Sequence, residues 1–134
     1  MSAHATASFT VKSWDEKPYN EIEGAPKLTR ASVTYSYQGE IEGEGASESL
    51  MVYRDDGSAS FVGLERVVGR IGGRSGSFVL QASGTYDQST GTARGALVVA
   101  PGSGAGELRG LRGKGEFVAT HEPPGSITLD YDFE

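Results

Sequence analysis

The segment from Asp56 to Tyr86 constrains the fold most, because its residues predict two long antiparallel strands joined by a tight turn. Asp56-Gly57 opens the segment and Gly72-Gly73 divides it, and both dipeptides are typical of turns. Between these turns the residues alternate with period two, which is typical of strands with one face in a core. The positions expected to face the core are Ala59, Phe61, Gly63, Glu65, Val67, Gly69 and Ile71 on the first strand, and Gly76, Phe78, Leu80, Ala82, Gly84 and Tyr86 on the second.

The register of this hairpin follows from the length of its loop. A two-residue loop at Gly73-Arg74 sets large side chains against small ones across the strands. The pairs expected from it are Glu65 with Ala82, Val67 with Leu80, Gly69 with Phe78 and Phe61 with Tyr86. In this register Glu65 lies on the apolar face.

The rest of the chain also indicates short strands, and no segment predicts a helix. The expected strands are 4–14, 19–22, 28–43, 48–54, 58–71, 75–86, 95–99, 115–121 and 126–133. Turn-like connections at 44–46, 55–57, 88–91 and 123–125 favour an antiparallel meander, and closing it into a barrel would leave no exposed edge. We therefore expect an all-β fold, an antiparallel eight-stranded barrel, formed by residues 1–134 as a single domain. The long glycine-rich connection 101–113 is expected to be pinned to the barrel by Leu108 and Leu111.

Composition argues against several classes of function. A net charge of −6 with scattered basic residues disfavours nucleic acid and anionic membranes as partners. The start of the chain lacks the features of a signal peptide, no apolar run could span a membrane, and there is no cysteine, so we expect a cytoplasmic protein. His4 and His121 have no metal-ligand spacing, and the glycine-rich run 102–106 lacks the lysine of a phosphate-binding loop. We expect no metal and no cofactor.

Glu65 is the candidate catalytic residue. Its strand neighbours Phe61 and Val67 would remove water from the carboxylate, which raises the pKa and suits a general acid or base. The alternative is an ion pair with Arg54, Arg66 or Arg70 after a slip in register, because structural ion pairs also perturb carboxylates.

The position of Glu48 depends on the length of the preceding turn. A two-residue turn at Asp56-Gly57 places Glu48 opposite Glu65 as a carboxylate pair, whereas a three-residue turn over 55–57 brings Met51 and Tyr53 inward instead. Tyrosines could supply hydroxyls at a cavity mouth or simply fill the core. The candidate cavity residues are Phe61, Phe78, Leu80, Tyr86, Tyr37 and Glu48.

Two glycine-rich motifs carry a family resemblance. The sequence of 104–113, GAGELRGLRG, resembles the Gly-x-Gly-x-Phe/Leu-x-x-x-x-Gly signature of allene oxide cyclase and dirigent-like barrels, and 73–78 is a looser match. From Val62 to Gly113 the chain is more similar to a bacterial family of uncharacterised proteins of that superfamily. The resemblance implies an eight-stranded barrel with an apolar cavity, in proteins that cyclise or steer reactive small molecules, often as dimers or trimers. Allene oxide cyclases use a cavity glutamate with an ordered water, and Glu65 fits that role by its environment.

These observations give two functional hypotheses. The first is a barrel that binds a small apolar or amphipathic molecule inside and isomerises or cyclises it through one acid-base residue. The alternative is a non-catalytic protein, either a ligand carrier or a structural oligomer with a filled barrel. A homo-oligomer, a dimer or a trimer, is expected because Val62, Leu64 and Val68 form an apolar stripe on the outer face unless the segment around Trp14 and Tyr19 covers it.

Overall fold

A closed barrel of antiparallel strands makes up the computed structural model, which describes residues 3–134. The strands are β1 (Ala3–Asn20), β2 (Leu28–Gly39), β3 (Ile41–Tyr53), β4 (Ala59–Ile71), β5 (Arg74–Asp87), β6 (Thr92–Val99), β7 (Ala105–Gly106), β8 (Leu111–Ala119) and β9 (Gly125–Phe133). Eight strands form the ring in the order β4-β3-β2-β1-β9-β8-β6-β5, pairing of β4 with β5 closes it, and the short β7 adds to β5 outside the ring. The predicted eight-stranded antiparallel barrel is confirmed. Since residues 3–134 contain no helix, none of them forms a helical membrane span.

The β4–β5 hairpin turns at Gly72 and Gly73, one residue earlier than expected. Both glycines have positive φ, 59° and 78°, as the two central residues of a type I′ turn require. The register therefore differs by two residues from the predicted one, and Glu65 lies opposite Leu80 rather than Ala82. A shift of two residues preserves the alternation, so the predicted inward and outward faces of both strands are correct.

The turn between β3 and β4 has three residues. The amide of Arg54 donates to the carbonyl oxygen of Ser58 at 2.8 Å, and residues 55–57 form the turn between them. This odd-numbered loop places Glu48 opposite Leu64 on the outer face, where its carboxylate pairs with Arg30 at 2.9 Å. The expectation that Glu48 lines the cavity is therefore wrong, because one residue of loop length reverses which side chains point inward.

The predicted turn at 44–46 is also wrong. The chain turns instead at Gly39 and Glu40, and β3 continues through Gly45, which is buried on the inner face.

Strand β1 joins the ring along only part of its length. It pairs with β9 from Ala3 to Phe9, whereas its pairing with β2 continues to Asn20. The register with β2 shifts between Val11 and Ser13, which marks a β-bulge where the strand leaves the ring. Beyond this bulge β1 is an edge strand, because it pairs only with β2, which pairs in turn with β3.

One half of the barrel is filled by side chains. Phe78, Leu80 and Val67 are essentially inaccessible. Leu108 in the long connection and Leu111 at the start of β8 are buried in the same cluster and pin the connection to the barrel, as predicted. The other half is less tightly filled. Its lining residues Ala31, Val33, Met51 and Ala59 are buried, and half-buried aromatic rings pack against them. We call these halves the filled end and the open end.

The outer face of β3 and β4 carries an apolar stripe, which consists of Leu50, Val62, Leu64 and Val68 and has side chains about half exposed. The segment around Trp14 and Tyr19 does not cover it, since β1 pairs with β2 and β9.

We expect this stripe to be buried between copies of the chain. Its aliphatic side chains are about half exposed, and their transfer out of water favours association. Sedimentation should show a dimer or a trimer, and replacing Val62 and Leu64 together by lysine should give a monomer. Val118→Lys, a change at an exposed valine on β8, is the control and should leave the assembly intact. A wild-type protein that sediments as a monomer at high concentration would contradict this expectation.

Candidate functional site

The interior contains one buried carboxylate, that of Glu65. The residue lies on β4 between Ser47 on β3 and Leu80 on β5, and only 9% of it is exposed. The hydroxyl of Tyr37 on β2 donates a hydrogen bond to its Oε2. No lysine or arginine of the described chain forms a salt bridge with Glu65, and Arg70 pairs instead with Glu42. The alternative, in which Glu65 forms an ion pair with an arginine, is therefore wrong.

Gly45 provides the space for this pair. A Cβ atom on Gly45 would lie 2.1 Å from Glu65 Oε2 and 2.9 Å from the Tyr37 ring, far inside contact distance. Sequence reasoning missed this residue because it assigned 44–46 to a turn. The usable signal was the alternation of Glu42, Glu44 and Ala46, which places Gly45 on the inner face if the strand continues.

Burial sets the protonation of this pair. Loss of solvent raises the pKa of Glu65 to about 7, although the hydrogen bond from Tyr37 opposes the rise. Burial, followed by the nearby Glu65 charge, raises the pKa of the Tyr37 phenol far above its ordinary value, so that hydroxyl stays protonated. Glu65 therefore populates both its acid and base forms at neutral pH, the property required of a group that takes up and returns a proton.

A small cavity adjoins the pair. It has a volume of about 60 Å³ and is lined by Glu65, Tyr37, Tyr35 and Ser47, among others. The Ser47 Oγ is buried and makes no well-formed hydrogen bond to any described residue. The Tyr35 hydroxyl lies near it. Burial raises the pKa of Tyr35, and the nearby Ser47 hydroxyl opposes that rise. An unpaired buried hydroxyl is costly, so a polar group of a bound molecule would stabilise it.

The open end contains a larger cavity, with a volume of about 510 Å³ and a mainly apolar lining. It shares five lining residues with the small cavity, and they are Phe9, Tyr35, Ser49, Phe61 and Phe117. The two spaces therefore adjoin, and a molecule entering at the open end would approach Glu65 along aromatic walls.

Two of these walls depend on glycines. An added Cβ at Gly84 would lie 2.9 Å from the Phe61 ring, and one at Gly95 would lie 2.7 Å from Phe117. The rings therefore pack against the backbone at positions where only glycine leaves room for them.

The rim of the large cavity holds a second carboxylate, that of Glu16 on β1. It accepts hydrogen bonds from Trp14 Nε1 at 2.9 Å, from the Thr29 hydroxyl at 2.7 Å and from the Tyr53 hydroxyl. Partial burial would raise the pKa of Glu16, but these hydrogen bonds, together with the nearby positive charge of Lys27, outweigh it and hold the pKa below its usual value. Across the mouth, Tyr86 and His121 are hydrogen-bonded at 3.2 Å. Sequence reasoning missed Glu16, because it sits among other polar residues on β1 and nothing local marks it.

The predicted cavity residues are distributed over three regions. Tyr37 lies beside Glu65, Phe61 lines both cavities, and Tyr86 lines the large one. Phe78 and Leu80 line neither, which corrects the prediction for both. Both are packed among the core side chains of the filled end, although the actual register sets each of them two residues closer to Glu65 along β4 than predicted.

Other surface features are weaker candidates. A depression of about 640 Å³ lies outside the barrel near Gly43 and Gly69, but it is a shallow surface feature whose charged groups, Glu42 and Arg70, are already paired with each other. Within residues 3–134 no cluster of histidine and acidic side chains could hold a metal ion.

Comparison with known proteins identifies a family. The family model described as "Protein of unknown function (DUF3224)" matches residues 5–131. A crystal structure of a DUF3224 protein of unknown function from Shewanella oneidensis MR-1 is similar to this chain, with 32% identity, a TM-score of 0.79, and coverage of 100% of this chain and 99% of that one. No curated protein matches.

The raised pKa of Glu65 predicts a pH-dependent stability. Unfolding returns the pKa to about 4.5, so from about pH 4.5 to about pH 7 the unfolded chain binds fewer protons and the wild type loses stability as pH rises. Glu65→Gln has no ionisable group at this position and so removes this loss. The unfolding free energy of the variant relative to that of the wild type should therefore rise over this pH range, by at most roughly 3 kcal/mol. Urea unfolding at several pH values measures it.

Glu48→Gln is the matched control. Hydrogen bonds from Ser32 and Arg30 lower the pKa of the exposed Glu48, so this variant should lose rather than gain relative stability as pH rises. Parallel profiles for the two variants would contradict a buried, destabilised Glu65.

Proposed function

The chain belongs to the DUF3224 family of unknown function, and we propose that its barrel binds a small apolar or amphipathic molecule in the open end and transfers a proton on it. The observation that carries this proposal is the apolar cavity of about 510 Å³ that leads to a single buried carboxylate. The family gives no ligand, so the argument rests on the geometry of the site.

The cavity has the properties of a small-molecule site. Its volume lies within the range of roughly 300 to 1,000 Å³ typical of such sites, and its walls are mainly aromatic and aliphatic with few polar groups. Rings held against Gly84 and Gly95 form fixed walls, which limits the entropy lost on binding. An apolar molecule would gain from leaving water, and the polar groups near Glu65 would fix its orientation.

Glu65 supports an isomerisation or a cyclisation as the reaction class, the class to which the resemblance to allene oxide cyclases also points. As a carboxylate, Glu65 would remove a proton from the carbon between a carbonyl group and a C=C bond, and the C–H electron pair would form a dienolate with its negative charge on the former carbonyl oxygen. The protonated acid would then return the proton to the far carbon of the C=C bond as the carbonyl group re-forms, which moves the double bond into conjugation. Atoms and electrons balance without any co-reactant, and a pKa of about 7 suits both steps.

Filling the cavity tests the binding step. Ala93 lines the large cavity, and Ala96 on the same strand is exposed on the outer face. The wild type should enhance the fluorescence of Nile red, a neutral apolar dye, in a saturable titration that also changes the emission of Trp14, the chain's one tryptophan. Ala93→Phe should weaken binding about tenfold or more, whereas Ala96→Phe should leave it unchanged. Equal binding by both variants would place the dye elsewhere and contradict the proposed site.

Deuterium exchange tests the proton transfer. β-Tetralone is a small apolar ketone with acidic C–H groups, and the wild type should accelerate their exchange in deuterium oxide above the buffer rate. Glu65→Gln should return the rate to that of buffer, a loss on the order of a hundredfold or more in the catalysed component, while it still binds Nile red. Glu48→Gln, whose carboxylate lies outside the barrel, should exchange as the wild type does. A wild type that binds the dye but does not accelerate exchange would favour a non-catalytic carrier.

A further inference from the structure

We propose that the rim around Glu16 recognises a basic nitrogen, so that the ligand is an apolar molecule with one ammonium group. This inference rests on the proposed function and names the chemical class that the same cavity selects. The ammonium group would bind at the rim, and the apolar body would extend towards Glu65.

Glu16 is a preorganised anionic group. Three donors on three residues fix its carboxylate, and all three are neutral, so its charge is not cancelled. Glu16 forms no salt bridge with any lysine, arginine or histidine of residues 3–134. Lys27 attracts Glu16 at a distance but forms no salt bridge with it, so no cation of residues 3–134 contacts this carboxylate directly. A fixed, partly buried carboxylate attracts a cation more strongly than a flexible surface carboxylate does.

Aromatic rings next to Glu16 favour the same ligand. Trp14 and Tyr53 both line the cavity and both donate to this carboxylate, which places their rings beside it. The chain's own Lys27 already places its Nζ 5.4 Å from the centre of the Tyr53 ring. Aromatic faces attract ammonium groups, and Trp and Tyr are the residues that do so best.

The charges along the cavity exclude the opposite class of ligand. Within the described chain, no lysine or arginine lines either cavity, whereas Glu16 lines one and Glu65 the other. His121, on the opposite side of the mouth, uses its Nε2 in the hydrogen bond with Tyr86. A carboxylate or phosphate ligand would face two acidic side chains without a strong cationic partner, and burying an unpaired charge is costly.

Recognition at the rim leaves Glu65 free for chemistry. An ammonium group next to Glu65 would keep that carboxylate ionised and compete with the proton it has to carry. Because Glu16 lies at the mouth and Glu65 in the adjoining inner cavity, one carboxylate can hold the ligand while the other acts on it.

Three probes with one apolar body test the inference, and they are phenylbutylamine, phenylbutanol and phenylbutyrate. Calorimetric titration of the wild type at pH 7 should show the amine binding about tenfold more tightly than the alcohol, with the acid weakest. Added salt should weaken binding of the amine and leave that of the alcohol unchanged, because salt screens only the charge interaction.

Two variants assign the preference to Glu16. Glu16→Gln should bring the affinity for the amine down to that for the alcohol and leave the affinity for the alcohol unchanged. Asp15→Asn, an equal loss of charge at an exposed neighbour on the same strand, should keep the preference. Near-ultraviolet circular dichroism checks that both variants are folded.

The outcomes separate this inference from the proposed function. Saturable binding of all three probes without preference for the amine, a preference for the acid, or a preference that survives in Glu16→Gln would overturn the inference while the cavity remains a binding site. Failure of Nile red and of all three probes to bind in the cavity would overturn both.

Discussion

The fold depends on accommodating one carboxylate inside a barrel. Burying an unpaired charge costs several kcal/mol, so a protein can keep Glu65 inside only if the acid is partly neutral or its charge is hydrogen-bonded. Both conditions are met, because the pKa is raised to about 7 and the Tyr37 hydroxyl donates to the carboxylate. The contact in turn requires the missing side chain at Gly45. Three neighbouring strands, β2, β3 and β4, therefore each contribute one residue to a group that lowers the stability of the fold. Such a cost is expected of a functional site rather than of a stabilising one.

The sequence predicts which side chains of a strand face the core better than it predicts the register between paired strands. Alternation along β4 and β5 correctly predicts the inward residues, because an apolar face must be buried whatever the pairing. The register was wrong by two residues because Gly72-Gly73 and Gly73-Arg74 are both acceptable loops, and only the former has two residues free to adopt positive φ. The side of Glu48 depends on a single residue of turn length, and the sequence permits either length. Glu16 could not be predicted, because its partners Thr29 and Tyr53 lie on strands that only the folded barrel brings together.

The two ends of the barrel separate the tightly packed core from the proposed binding site. Large aliphatic and aromatic side chains fill one end, where Leu108 and Leu111 pin the long connection after β6 to the barrel. The open end uses small residues such as Ala31 and Ala59 against the wall and leaves its rings half exposed. A barrel of this size can be filled or hollow, and here the filled end supplies the packing that the hollow end lacks. Shared fold and family do not determine what the hollow end binds.

The way in which β1 leaves the ring has a consequence for the kinetics of exchange between cavity and solvent. Past Phe9 the strand is bonded on one side only, to β2, so the segment that carries Trp14 and Glu16 presents a free backbone edge. A strand that is hydrogen-bonded on one side only opens locally at lower free energy than a strand that is hydrogen-bonded on both sides. The segment at the entrance is therefore the part of the barrel that opens most easily. The strand that carries Glu65, in contrast, is hydrogen-bonded to a neighbouring strand on both sides. Under the proposed function, residence time and the chemical step would depend on separate parts of the barrel, and a change in this edge segment would alter how fast a molecule enters and leaves without disturbing the strands beside Glu65.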